Sequence, residues 1–199
     1  MTELQALVKF ILRSAENYAW DNAASGILNS MELEGPNEAA INVFYRFPAG
    51  SNPTTEASRK RIFYFEIHTH EVGFRSTIVA GQIRQQRYVP APTPESGDLY
   101  VWQRSDGKSG RIRLIPGPME VYNPGDSYEI TAQEIHRIEA EQGTVTVVTR
   151  RRTTPEPAGV YSFFPDGVPR QDQMYGFLSA AAIREATSAA LQCMEEEAR

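Results

Sequence analysis

Between residues 40 and 165 the chain is a series of short β-branched and aromatic runs separated by turn signals, and this pattern limits its fold more than any other feature. The expected strands are Ala40 to Phe47, Arg61 to His70, Ser76 to Ala80, Ile83 to Val89 and Tyr100 to Gln103. Further along they are Arg111 to Ile115, Glu120 to Tyr122, Ser127 to Ile130, Ile135 to Glu139, Thr144 to Thr149 and Val160 to Phe164. Asp106-Gly107, Pro116-Gly117-Pro118, Pro124-Gly125-Asp126, Gln142-Gly143 and Asp166-Gly167 punctuate them. Many short strands at this spacing predict a closed or sandwiched antiparallel sheet.

The two ends read differently. Leu4, Leu7, Val8, Ile11, Leu12 and Ala15 recur at helical spacing, which predicts a helix over residues 3–18. Phe177, Leu178, Ala181, Ala182, Ala186, Ala189, Ala190 and Met194 do the same over 176–196, among strong helix formers. With 199 residues and 41% hydrophobic content, residues 1–199 suit one domain with a β core over 40–165.

Composition removes several classes of function. A net charge of -5 gives no general attraction to nucleic acid or to an anionic membrane face. Arg150-Arg151-Arg152 is the one dense basic run and reads as a solvated strand end. No stretch approaches the roughly 20 apolar residues of a membrane span, and Lys9 and Arg13 break the apolar N-terminal run, unlike a signal peptide. The single cysteine, Cys193, excludes an internal disulfide and reads as a quiet helix residue. These features point to the cytoplasm.

The chain has three histidines, and all fall on expected strands. In His68-Thr69-His70, strand alternation puts both imidazoles on one face, where a single metal can bridge them. His136 lies in the alternating run Glu134 to Ile138 and is the one histidine available to join the pair. Three neutral imidazoles with open positions suit Fe(II), Zn, Ni or Cu, so affinity alone selects none of them. Such a set leaves the metal its full charge and favours an anionic ligand at the open position.

In these residues the sequence resembles the cupin superfamily. His68-Thr69-His70 and Gly81 match its first motif, and Pro124-Gly125-Asp126 with His136 echo the second over a longer gap. The resemblance covers roughly residues 60 to 150 and leaves out the terminal helices. The motif's glutamate position falls on Phe74 or Arg75, so the carboxylate ligand is missing. This narrows the likeness to three-histidine cupins, of which the cysteine dioxygenase-type thiol dioxygenases are the best-known enzymes. Their cysteine–tyrosine pair has no equivalent here. The resemblance implies a mainly β, cupin-type antiparallel barrel or jelly roll, with His68, His70 and His136 holding iron beside a small substrate and O₂.

Other residues complete the expectations. Glu66 shares the His68 face and reads equally as a fourth ligand or imidazole N–H acceptor and as a rim carboxylate facing solvent. Arg46 and Arg75 are candidate grips for a substrate carboxylate, with Arg61, Arg84 and Arg87 as competitors. Tyr64, Tyr88, Tyr128 and Tyr161 could place a phenol near the metal, or serve as core aromatics, with Tyr64, Tyr128 and Tyr161 the leading candidates. Phe63, Phe65, Ile78, Val121 and Ile138 are expected to line the open face, with an arginine nearby. Alternation puts Phe63, Phe65 and Ile67 on the face opposite the histidines, where either a terminal helix or a homodimer partner covers them or a β-bulge near Glu66 flips the register before the histidines. The leading expectation is an Fe(II) dioxygenase acting on a small, anionic substrate. The rivals are a redox-neutral isomerase, lyase or hydrolase using Zn, Ni or Mn, and a non-catalytic small-molecule-binding module.

Overall fold

The structure is a computed structural model that describes residues 2–17, 25–27, 30–34, 39–45, 67–104, 106–150, 159–166 and 176–197. In chain order the elements are α1 (Glu3–Asn17), β1 (Ser25–Ile27), β2 (Ser30–Glu34), β3 (Ala39–Val43), β4 (Ile67–His68) and β5 (Phe74–Ala80). Then come β6 (Ile83–Pro90), β7 (Asp98–Arg104), β8 (Ser109–Tyr122), β9 (Ser127–Ile130) and β10 (Ile135–Ala140). The last are β11 (Val145–Arg150), β12 (Tyr161–Pro165), β13 (Gly176–Phe177) and α2 (Ala180–Glu196).

Among the described residues all strand pairs are antiparallel. One seven-stranded sheet runs β13-β1-β2-β3-β11-β5-β9, and the remaining strands close a barrel in the order β10-β4-β12-β7-β8-β6. The mainly β architecture with a helix at each end is the one the strand pattern predicts. Among the described residues no helix is long and apolar enough to cross a membrane.

Strand alternation sorts the interior into three layers. The helices cover the outer face of the sheet: Val8 and Leu12 of α1, with Ile183, Ala186 and Ala190 of α2, pack on Met31, Ile41, Val43, Val79 and Val145. The inner face of the sheet meets the barrel through Phe74, Ile78, Tyr128 and Val148 on one side and Ile83 and Ile138 on the other. A third cluster, of Ile67, Tyr88, Tyr100, Leu114 and Phe163, joins five barrel strands and fills the barrel.

The structure departs from the sequence reading in three places. Residues 109–122 form one strand rather than two, running through Pro116. The register of β6 against β8 shifts between Gln86 and Tyr88, and the Gln86 side chain donates to the Gly117 carbonyl at 3.0 Å, so the ladder tolerates proline at an irregularity. Helix α2 starts at Ala180 because the Ser179 hydroxyl caps it, accepting from the Ala182 N–H, and Phe177 belongs to β13. Strands β1 and β2 precede the expected core. Gly81 makes the tight β5–β6 turn: its φ is +76°, and a Cβ there would lie 2.3 Å from Thr144 Oγ1.

Candidate metal centre

His68 and His136 are directly opposite each other in the β4–β10 ladder, so their side chains share a face. His136 is two residues from Ile138, which packs against the seven-stranded sheet. Both imidazoles therefore project into the layer between barrel and sheet, while Ile67 projects the other way, into the barrel. The Ile67 face is thus covered by the barrel's own strands rather than by a helix or partner. Phe63 and Phe65 lie outside the described residues.

His70 lies just past the end of β4, tied by its N–H to the Ala132 carbonyl at 3.2 Å. Thr69, buried between the two histidines, is clamped by β12. Its N–H donates to the Tyr161 carbonyl at 2.9 Å, and its hydroxyl accepts from the Tyr161 N–H at 2.9 Å.

The three Nε2 atoms converge. His68 and His70 Nε2 are 3.1 Å apart, His70 and His136 Nε2 are 2.9 Å apart, and the three ligand atoms all lie within 4.8 Å of one another. Protons satisfy this arrangement poorly, because His70 Nε2 has one proton or one lone pair to share between two neighbours. An electrophile satisfies it. Metal–nitrogen bonds of about 2.0–2.1 Å give ligand edges of about 2.9–3.4 Å between right-angle and tetrahedral geometry, which includes both short edges. The residues present therefore fit a metal ion.

Electrostatics keep the imidazoles competent as ligands. Burial, His68 and Arg150 push His70 down to about 3. Burial, His68, His70 and Arg87 push His136 well below the usual histidine range. Both are neutral at pH 7, the form that offers a lone pair. Phe74 packs edge-on against His70 with ring centroids 4.7 Å apart.

The remaining sequence candidates separate clearly. Tyr128 is buried in the same layer, against Phe74, and burial pushes its phenol up to about 12. The Ser76 hydroxyl beside it offsets part of that effect without reaching hydrogen-bond geometry. Tyr161 points away from the site: its ring packs against Trp102 in the barrel cluster, and only its backbone supports the histidines. Arg75 is exposed, on the β5 face opposite Phe74. Ile78 and Ile138 are buried in the layer, but Val121 is 48% exposed. Tyr64, Arg46 and Glu66 lie outside the described residues.

The arginines whose charge reaches the centre are Arg87 and Arg150. Arg87, opposite His136, is held by Glu120 and Glu134. Arg150, opposite Phe74, pairs with Glu32 at 2.8 Å. Alternation within Val145–Arg150 could have exposed Arg150 as an inward residue, since Thr146, Val148 and Arg150 share a face.

Among the described residues, five buried polar atoms on this layer have no hydrogen-bond partner: Ser76 Oγ, Gln85 Nε2, Gln85 Oε1, Thr146 Oγ1 and His136 Nδ1. At about 1–3 kcal/mol each, together they rival the entire net stability of a domain, about 5–15 kcal/mol. They need partners from water or a ligand.

The site and fold define an antiparallel β-barrel protein with a three-histidine cluster able to hold a metal ion. No family model matches the chain, and no curated protein matches it. Solved structures with a partial likeness include an oxalate decarboxylase from Lactobacillus farciminis in a formate complex, 14% identical, covering 75% of this chain and 30% of that one at a TM-score of 0.30. Another is the hydroxypropylphosphonic acid epoxidase from S. wedmorenis, 11% identical, covering 70% of this chain and 55% of that one at 0.29. A third is a cupin-like protein from Thermotoga maritima, 11% identical, covering 81% and 82% at 0.25. The chain spans well under two thirds of the first two. At these TM-scores none of the three bears on what this chain does.

Proposed function

We propose that the chain is a metal-dependent cupin-type oxygenase in which His68, His70 and His136 hold Fe(II) and a small, anionic substrate reacts with O₂. The observation that carries this reading is the convergence of three imidazole nitrogens, with His70 and His136 held neutral by burial. When bound, Fe(II) supplies a redox-active centre with positions left open by three protein ligands. The chain's own residues do the rest. Thr69 and the β4–β10 ladder fix the imidazole directions, and Phe74 keeps water from one side of His70. Tyr128 keeps its proton at neutral pH and, with Tyr122 packed against it, brings a phenol to this layer. Zn, Ni or Mn at the same three ligands would instead support redox-neutral isomerase, lyase or hydrolase chemistry, and Cu is a further metal the set can hold. The homodimer expected from the sequence is part of the proposal and is read by light scattering.

The test is metal analysis of protein purified without chelators or a metal-affinity tag, followed by oxygen-electrode measurements on Fe(II)-loaded protein. One iron per chain and substrate-dependent O₂ uptake support the oxygenase. One zinc or nickel per chain without O₂ uptake moves the reading to Lewis-acid chemistry, and no bound metal defeats it.

A further inference from the structure

We propose that Gln85, Ser76 and Thr146 form a ligand subsite beside the histidine cluster, and that it takes an uncharged hydrogen-bonding group, a hydroxyl or an amide. This deepens the metal-centre reading and rests on it for where the ligand's anionic end lies.

Gln85 is 0% exposed, and both of its amide atoms lack partners. It is opposite Ile138 on β10, which makes it a diagonal neighbour of His136 on the same face. Ser76 and Thr146 approach the layer from the sheet. Ser76 is two residues from Phe74, the residue packed on His70, and Thr146 is opposite Ile78. Each is 1% exposed, with an unpartnered hydroxyl. A fold rarely buries a glutamine amide unmet, and an apolar side chain of the same size would pack there at less cost. Polar residues that weaken the ligand-free fold are what a binding site retains.

Charge decides the class of group. Arg87 and Arg150 are already held by carboxylates. The subsite therefore offers a donor and an acceptor from Gln85 and two adaptable hydroxyls, but no free charge. A ligand's anionic end is drawn to a metal at the histidines, and its neutral polar part reaches Gln85.

The experiment uses the isotope-labelled full chain, metal-free, with the Gln85 side-chain amide signals assigned by their loss in Gln85→Leu. Acetamide, lactamide, acetate and xenon are the probes. Acetamide and lactamide are expected to shift those signals, while acetate and xenon leave them in place. Silence from every probe, or an equal response to xenon or acetate, overturns the subsite. Thr146→Val and Ser76→Ala carry the test if Gln85→Leu does not fold. Each is expected to raise the melting temperature of the ligand-free chain and to weaken the lactamide response about tenfold, the loss of one hydrogen bond. A lower melting temperature would mean that the hydroxyls hold ordered water as part of the fold, and would overturn the proposal. Metal content is measured separately on the same preparations. Metal binding without a probe response defeats the subsite alone, and a response without metal binding defeats the metal reading alone.

Discussion

Replacing His70 by leucine should change two properties in opposite directions. His70 is the hub of the cluster, since both short nitrogen edges run through it. Tight zinc sites bind with about 10–16 kcal/mol from four ligands, so one imidazole carries about 3 kcal/mol. Its loss should weaken metal binding roughly 100-fold or more. Without metal, the same imidazole is a liability in acid. Its folded value of about 3 lies below the ordinary 6.5, so the unfolded chain takes up a proton that the folded chain refuses. Its contribution is fully present above pH 6.5 and is lost as pH falls toward 3, at about 1.4 kcal/mol per pH unit. That is about 2 kcal/mol at pH 5. Leucine keeps an apolar contact with Phe74 and has no proton to gain, so His70→Leu should lose about 2 kcal/mol less than the parent between pH 7 and pH 5. Urea denaturation in chelator at both pH values, with metal titration at pH 7, reads both effects. Equal acid sensitivity of variant and parent, or unchanged metal affinity, would refute the reasoning.

Phe74→Glu places a carboxylate against His70 and should tighten divalent-metal binding by about tenfold or more, measured by competition with a chromogenic chelator. Gly81→Ala meets Thr144 at a positive φ and should cost about 2–3 kcal/mol, lowering the melting temperature by roughly 4–12 °C in a thermal scan. Tyr161→Phe should leave metal affinity unchanged, because the phenol faces the barrel cluster and the histidine clamp uses only the backbone of Tyr161. A weaker metal titration in that variant would contradict the placement.

The meeting of the three histidines was legible in the sequence because histidine is scarce here and each one sits on an alternating run. Local periodicity also suffices for α1 and for most strands. The surroundings of the centre were not legible, because they depend on which strands pair and in what register. Gln85, Ser76 and Thr146 are unremarkable polar letters until ladders set them opposite Ile138, Tyr128 and Ile78. Arg75 read as a candidate grip and Arg150 as part of a solvated strand end, and only the pairing of Arg150 with Phe74 turns Arg150 inward while Arg75 stays in solvent. Pro116 read as a break because a register irregularity and a donated side-chain hydrogen bond are long-range facts.

The clamp on Thr69 shows that the middle letter of a histidine pair is not a free spacer. At the end of so short a strand, the neighbouring chain segment still needs an acceptor for its first N–H, and the threonine hydroxyl provides it while the imidazoles turn the other way. Anyone grafting such a pair onto another sheet would have to carry over the intervening side chain and the strand that reads it. Two histidines alone would arrive without the part that aims them.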